Sequence, residues 1–404
     1  MPSRQQRIPD RPLLAPILAG MMATLAGIGV ARFAYTPLIP ALVQQHWFDA
    51  SAAAYLGAAN LLGYLLGALG AHRVSERYGA RPIMAVAFVA ITLSFVLCAR
   101  PAPFAWFFVW RLVSGVAGAA LVVVGPSIAL TSVSASRRAV VAPLVFMGIG
   151  LGALLSALVT PWLLHVGLSA TWLALGALCL TATVIGDRAM ARLPAPPESA
   201  SGGQATMSTT ARAAVVLVIV AYALDAAGYV PHTVFWVDYL AREVGLGIQA
   251  ASLQWALFGV GAVMGPFLVG LMVTRLGWHR SLATGFTVKT LAVALPLVTL
   301  ALPGRCASSL LVGAMVPGIV TLTSGRLAEL VGPESHKRIW GRATAAFAAA
   351  QAFAGYGMSG LYAAIDSYRP LFVIGAVVLL LGTLSVLVSG APPSAPHRIR
   401  RKRS

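Results

Sequence analysis

The sequence predicts an all-α polytopic membrane protein of twelve transmembrane helices in two six-helix bundles. Three observations lead there. Of 404 residues, 58% are hydrophobic and only 10% are charged, and the mean hydropathy is +0.83, far from the composition of a water-soluble domain. Apolar runs close to the ~20 residues that cross a bilayer as a helix recur along the whole chain. The alternating pattern of a membrane β-barrel is absent from the sequence,.

Taken in order, the expected spans are 13 to 43, 50 to 71, 82 to 99, 103 to 130, 139 to 165 and 168 to 187. A Pro/Ser/Gly-rich polar stretch, 188 to 212, comes next and reads as a linker, because it holds too little apolar surface to build a core,. Six more spans run 213 to 240, 250 to 273, 281 to 302, 306 to 330, 342 to 365 and 370 to 391. The domain plan is therefore an N-terminal segment (1–12), a first bundle (13–187), the linker (188–212), a second bundle (213–391) and a basic tail (392–404). Shifting the sequence by 198 residues lays Gly63, Gly67, Arg77 and Gly79 onto Gly261, Gly265, Arg275 and Gly277, so the halves read as copies.

The net charge of +18 is topological rather than a mark of nucleic-acid binding, since basic residues are retained on the cytoplasmic side. Arg73, Arg77, Arg81, Arg137, Arg138, Arg188, Arg192, Arg275, Arg280, Arg342 and the tail cluster all fall on one side of the predicted topology. Arg100, Arg242, Arg305 and Arg369 fall on the other. Both termini and the linker are accordingly expected in the cytoplasm of a bacterial cell, with the chain in the inner membrane. Cys98, Cys179 and Cys306 lie in or beside separate apolar runs, without metal-ligand spacing or a disulfide framework,.

The first span breaks its own pattern at Gly27-Ile-Gly-Val-Ala-Arg32-Phe-Ala-Tyr35-Thr-Pro37-Leu-Ile-Pro40. A charge inside a hydrocarbon-spanning helix is costly and normally faces a wet cavity or a partner, so Arg32 is a functional-site candidate. Two prolines within eight residues predict a bend just beyond it,. In the fourth span, Arg111 lies about 12 Å from the predicted outer end at 1.5 Å per residue, a depth shared with Arg32. It either faces the same cavity or pairs with backbone carbonyls inside its own half.

Glu76-Arg77-Tyr78-Gly79-Ala80-Arg81 joins spans two and three, and Gly270-Leu-Met-Val-Thr-Arg275-Leu-Gly277-Trp-His-Arg280 joins spans eight and nine. These loops resemble the G-x-x-x-D-R-x-G-R-R signature of the major facilitator superfamily. The first copy has His72 for the leading glycine, Glu76 for the acid and Ala80 for a basic residue; the second has Thr274 for the acid. The resemblance implies a gating latch at Glu76, Arg77, Gly79, Arg81, Arg275, Gly277 and Arg280. The bland alternative is that their charges only fix topology. Arg111-Leu-Val-Ser-Gly115 is similar to the family's R-x-x-x-G on the fourth helix, and the first-helix pattern resembles the YbfB/YjiJ group within the superfamily. The resemblance implies the major facilitator fold, with helices one, four, seven and ten around a central cavity.

At helical spacing, Tyr222, Asp225, Tyr229, His232 and Trp236 of span seven share one face,. Asp225 is the one acid placed deep in hydrocarbon, where desolvation disfavours the charged form; it is expected to carry a coupling proton or to pair with Arg32 or Arg111, with a purely structural pair as the alternative. His232 reads chiefly as a packing residue, and Lys289 as a side chain that snorkels to the cytoplasmic end of span nine. The candidate substrate or coupling residues are Arg32, Tyr35, Arg111, Asp225, Tyr229 and His232. Two arginines on one cavity favour a small organic anion, moved by alternating access and coupled to protons. The expected partners are a small-molecule substrate, membrane lipid and protons, not nucleic acid, with the chain acting as a monomer. No cofactor or metal is called for, and no nucleophile constellation points to an enzyme. Drug or metabolite efflux is the alternative within transporters; a membrane sensor or channel is the rival from another class.

Overall fold

A computed structural model describes residues 13–193 and 209–390. The expected N-terminal segment, most of the linker and the basic tail lie outside them. Among the described residues the chain is helical throughout, with no strand. Ten stretches are long and apolar enough to cross a membrane: Leu14–Gln44, Ala50–Tyr78, Ala80–Leu97, Phe104–Thr131, Ser136–Leu164, Leu168–Met190, Thr210–Glu243, Gly247–Val298, Leu302–Gly332 and Arg369–Val388.

Gly247–Val298 spans 52 residues, well over twice what ~30 Å of hydrocarbon needs. It turns at Gly277, whose φ of 74° is open to glycine without strain,. Leu302–Ile365 turns in the same way at Gly332, with φ 72°. Gly79, 198 residues before Gly277, has φ 87° between Ala50–Tyr78 and Ala80–Leu97. The glycines of the two loop motifs are thus sharp reversals.

Solvation is inverted relative to a soluble protein. Large apolar side chains cover the outside, Trp162 at 79% and Phe353 at 76% exposure among them, while Arg32, Arg111, Asp225, Asp238, Lys289 and Arg326 are buried. This is the distribution of a multi-pass membrane protein, whose exterior meets lipid and whose charges face inward.

The internal repeat extends to packing. A Cβ on Gly63 would lie 2.1 Å from Leu112 O and one on Gly67 2.4 Å from Val116 O; at the same shift of 198, Gly261 and Gly265 meet Leu310 O at 2.1 Å and Ala314 O at 2.2 Å. Gly115 against Asn60 O and Gly313 against Phe258 O repeat it again, both at 2.1 Å. Small residues let these backbones touch, which replaces the hydrophobic drive that lipid does not supply. Two seams join the N-terminal and C-terminal portions. Along one, Gly150 and Leu154 lie against Val263 and Gly259; along the other, Leu61 lies against Gly355 and the ring of Tyr55 is 6.1 Å from that of Tyr356.

Candidate functional site

The first helix does not simply bend beyond Arg32. It widens to a π-helix over Leu25–Val30, passes through Ala31 and Arg32, and tightens to a 3-10 turn over Phe33–Tyr35 before Leu38–Gln44 resumes. Proline accounts for the tight turn. Pro37 offers no N–H to Phe33 O, and Tyr35 N donates to Arg32 O at 3.3 Å, which leaves Ala31 O free,. Both carbonyls find other donors, as buried backbone must. Arg111 Nη1 donates to Ala31 O at 2.8 Å, with Asn60 Nδ2 at 3.4 Å. The indole of Trp255, on the other side of the seam, donates to Phe33 O at 3.0 Å.

Arg111 is accordingly held inside the N-terminal portion. Its guanidinium lies 4.2 Å from the centre of the Tyr35 ring, and the Tyr35 hydroxyl donates to Ala53 O at 2.9 Å. The backbone-carbonyl contact is the alternative that the sequence left open for this arginine. Equal depth on helices one and four did not bring the two arginines onto one ligand face, because Arg111 is turned toward the freed carbonyl.

Arg32 points the other way, across the seam. Nη1 donates to Gln351 Oε1 at 2.7 Å, and Gln351 Nε2 donates to the Tyr229 hydroxyl at 2.7 Å. An arginine has no acceptor, so this bond fixes which end of the amide faces it. The guanidinium also lies 4.3 Å from the centre of the Tyr64 ring. Its Nε and Nη2 are buried with no hydrogen-bond partner among the described residues.

Asp225 pairs with neither arginine. Its Oδ1 lies 2.7 Å from Lys289 Nζ, and the two side chains are 1% and 0% exposed. This corrects two expectations, the Arg32 or Arg111 partner for Asp225 and the snorkelling of Lys289. Distance from the helix end is a poor guide when the residue's face is turned inward: Lys289 enters the bundle beside Asp225, with Nζ 3.9 Å from the centre of the Tyr229 ring. The chain Arg32, Gln351, Tyr229, Lys289, Asp225 is therefore continuous and runs from one portion of the protein to the other.

The shared face expected for the seventh span divides. Pro231–Phe235 is π-helical, and one extra residue in a turn rotates the remainder of the helix by about 100°. Before the break, the Tyr222 ring lies tilted 4.5 Å from that of Phe347 and stacks on Trp340 at 5.5 Å. After it, His232 lies 4.9 Å from the Trp236 ring and bonds Ser308 Oγ at 2.8 Å, while Trp236 Nε1 donates to Ser309 Oγ at 2.9 Å. Ser308 spends its hydrogen on Ala292 O, so His232 Nε2 carries the proton in that bond. The His232 side chain is thus bonded to Ser308 and packed on Trp236, and is not itself a link in the Arg32 chain.

Sequence reasoning missed a further buried acid. Asp238, fully buried, binds Arg242 through both oxygens at 2.6 and 2.5 Å, and Tyr362 and Tyr368 complete the cluster at 3.1 and 3.0 Å from Arg242 Nη2. Glu243 accepts from Tyr368 N at 2.7 Å. The i, i+4 spacing of Asp238 and Arg242 was the available signal. The cluster ties Tyr239–Glu243 to the 366–368 turn.

In the loop motifs, Arg81 reaches Asp187 at 3.2 and 3.3 Å within the same portion of the chain, and His72 lies 3.1 Å from Glu76. Arg77 lies over the Tyr78 ring at 5.4 Å. Arg275 and Arg280 are exposed beside the Gly277 turn. Among the described residues no group of three His, Cys, Asp or Glu is placed to hold a metal ion, and the three cysteines are free.

A search of curated proteins finds no match. The family described as "Uncharacterised MFS-type transporter YbfB" matches residues 24–387, nearly the whole described chain, including the Arg32 break, both loop motifs and every member of the polar chain across the seam. With its inward-facing charges, lipid-facing exterior and repeated helix packing, this protein belongs to the YbfB-type family of major facilitator superfamily transporters.

Proposed function

We propose that the protein is a secondary active transporter of a small organic anion, built of twelve spans in two six-helix bundles and working by alternating access. The turns at Gly277 and Gly332 and the helical segment 333–365 support that count. The face carrying the Gly79, Gly277 and Gly332 reversals is assigned to the cytoplasm of a bacterial inner membrane, because the basic side chains gather there.

The observation that carries the reading is the polar chain from Arg32 to Asp225, which crosses between the halves where a ligand bound by both would lie. A ligand that prefers one arrangement of the halves shifts their equilibrium by its differential affinity, and no covalent chemistry is needed. Proton exchange is assigned to the Asp225–Lys289 pair, whose buried charge changes by one unit with each proton gained or lost. Tyr229 and Gln351 connect that pair to Arg32.

Purified protein in vesicles tests this. The wild type is expected to accumulate solute under a pH gradient and to exchange it at equal pH. Asp225→Asn should lose the first and keep the second. Full pH-driven accumulation by Asp225→Asn removes the coupling assignment; absence of both activities from the wild type, across anionic, neutral and cationic solutes, removes the transporter reading.

A further inference from the structure

The sequence placed two cations on one cavity, and the structure leaves one. Arg111 is turned into the N-terminal portion, bonded to Ala31 O and covered by Tyr35. Lys289 faces a carboxylate at 2.7 Å. Arg32 alone among these three lies on the seam without a counter-charge among the described residues. It is 7% exposed.

The atoms it leaves open matter more than the charge. Nη1 is committed to Gln351, while Nε and Nη2 are buried and unpartnered. Those two N–H groups are the parallel edge of the guanidinium fork, which matches the two oxygens of a carboxylate. Gln351 fixes the fork by holding the opposite corner, and Tyr64 covers one of its flat faces at 4.3 Å. A buried donor pair without acceptors is costly, so the site is poorly satisfied until an anion arrives.

The surroundings of the seat are aromatic and apolar. Tyr229, bonded to Gln351, and Tyr222 lie with their rings 6.3 and 4.5 Å from that of Phe347. Tyr64 packs with Ala119 and Ala348, with Ile28 and Leu65 at the margin. A second negative charge on the ligand would be desolvated among these groups without a second free cation to meet it.

Resting on the transporter reading, we infer that Arg32 seats a monocarboxylate with an apolar body, bound through the Nε and Nη2 edge, and that dicarboxylates and uncharged amides are rejected. The test is thermal stabilisation of the purified full chain by benzoate, acetate, phthalate and benzamide, at a pH where the acids are ionised. Ligands that prefer the native state raise its melting temperature. Benzoate is expected to stabilise at concentrations about tenfold below those of benzamide, which lacks the charge for these hydrogen bonds, of acetate, which lacks an apolar body to bury, and of phthalate, whose second charge would be desolvated unpaired. Arg32→Lys keeps the charge and removes the fork, and should weaken the benzoate effect by a similar roughly tenfold factor.

Equal stabilisation by phthalate or benzamide, or no stabilisation by any of the four, overturns the seat; both are read on the wild type and do not depend on a variant folding. An Arg32→Lys response identical to wild type also overturns it. The transporter reading fails separately. A chain that exchanges a neutral or cationic solute across vesicles while ignoring benzoate loses the carboxylate seat and remains a transporter.

Discussion

Replacing Lys289 with Met leaves Asp225 buried with no counter-ion. At 2.7 Å and an effective dielectric of ~20, the attraction between the two charges is about 6 kcal/mol. Desolvation of two ions takes several kcal/mol each and offsets most of it, so the intact pair is close to neutral relative to two apolar groups. Breaking it from one side is different: the carboxylate keeps its desolvation and loses its attraction, a loss of about 3–5 kcal/mol. Asp225→Asn alone should be destabilising for the same reason, with the ammonium now stranded. The double variant Asp225→Asn with Lys289→Met removes both ions and should regain most of the stability. Melting of the purified protein in detergent reads this directly, and vesicle transport reads function beside it. The expected result is recovered melting without recovered pH-driven accumulation. A double variant no more stable than either single one would refute the pairing argument.

Three further outcomes rest on geometry. Tyr229→Phe keeps the ring beside Lys289 but removes the acceptor of Gln351 Nε2; stability should fall by about 1–3 kcal/mol, the cost of a buried donor left unmet, and an unchanged melting temperature would deny the hydrogen bond. Trp255→Phe strips the donor from Phe33 O and should cost about 1–3 kcal/mol; adding Pro37→Ala returns a backbone N–H to that carbonyl, and the paired variant should melt above Trp255→Phe alone. Gly261→Ala puts a Cβ 2.1 Å from Leu310 O and should lose about 1–3 kcal/mol to overpacking. Gly270→Ala meets nothing within 4 Å and should be neutral or gain up to about 1 kcal/mol; similar melting for the two alanine variants would contradict the repeated packing.

Most of the architecture is written in hydropathy, because a bilayer demands long apolar stretches and permits few exceptions. The exceptions are therefore easy to see. Arg32 and Asp225 stand out as charges in apolar runs, and both are buried as that anomaly implied. Their partners were harder to read. Lys289 was placed by its distance from a helix end, a measure along the axis that ignores which way the side chain faces. Gln351 sits in an Ala-rich stretch where packing alone accounts for the composition, and nothing in its neighbours reveals an arginine from the other half. The common face of Tyr222, Asp225, Tyr229, His232 and Trp236 assumed an unbroken period of 3.6, and the π-helix at Pro231–Phe235 redirects its second half. A proline announces that a helix will be irregular; it does not say whether the turn widens or tightens.

The carbonyls of Ala31 and Phe33, freed at the same break, have unlike fates. Arg111 serves the first from within its own half, so that bond travels with the half whatever the protein does. Trp255 serves the second from across the seam, and any movement that draws 247–276 away from Leu14–Gln44 strips it. A bare carbonyl there must take water in place of the indole. On the alternating-access reading proposed above, parting of the halves at this point and hydration of Phe33 O would be a single event, with water as a reactant in the equilibrium. Osmolytes excluded from protein surfaces strengthen burial and thereby draw the protein toward the state in which indole and carbonyl meet, with no ligand present.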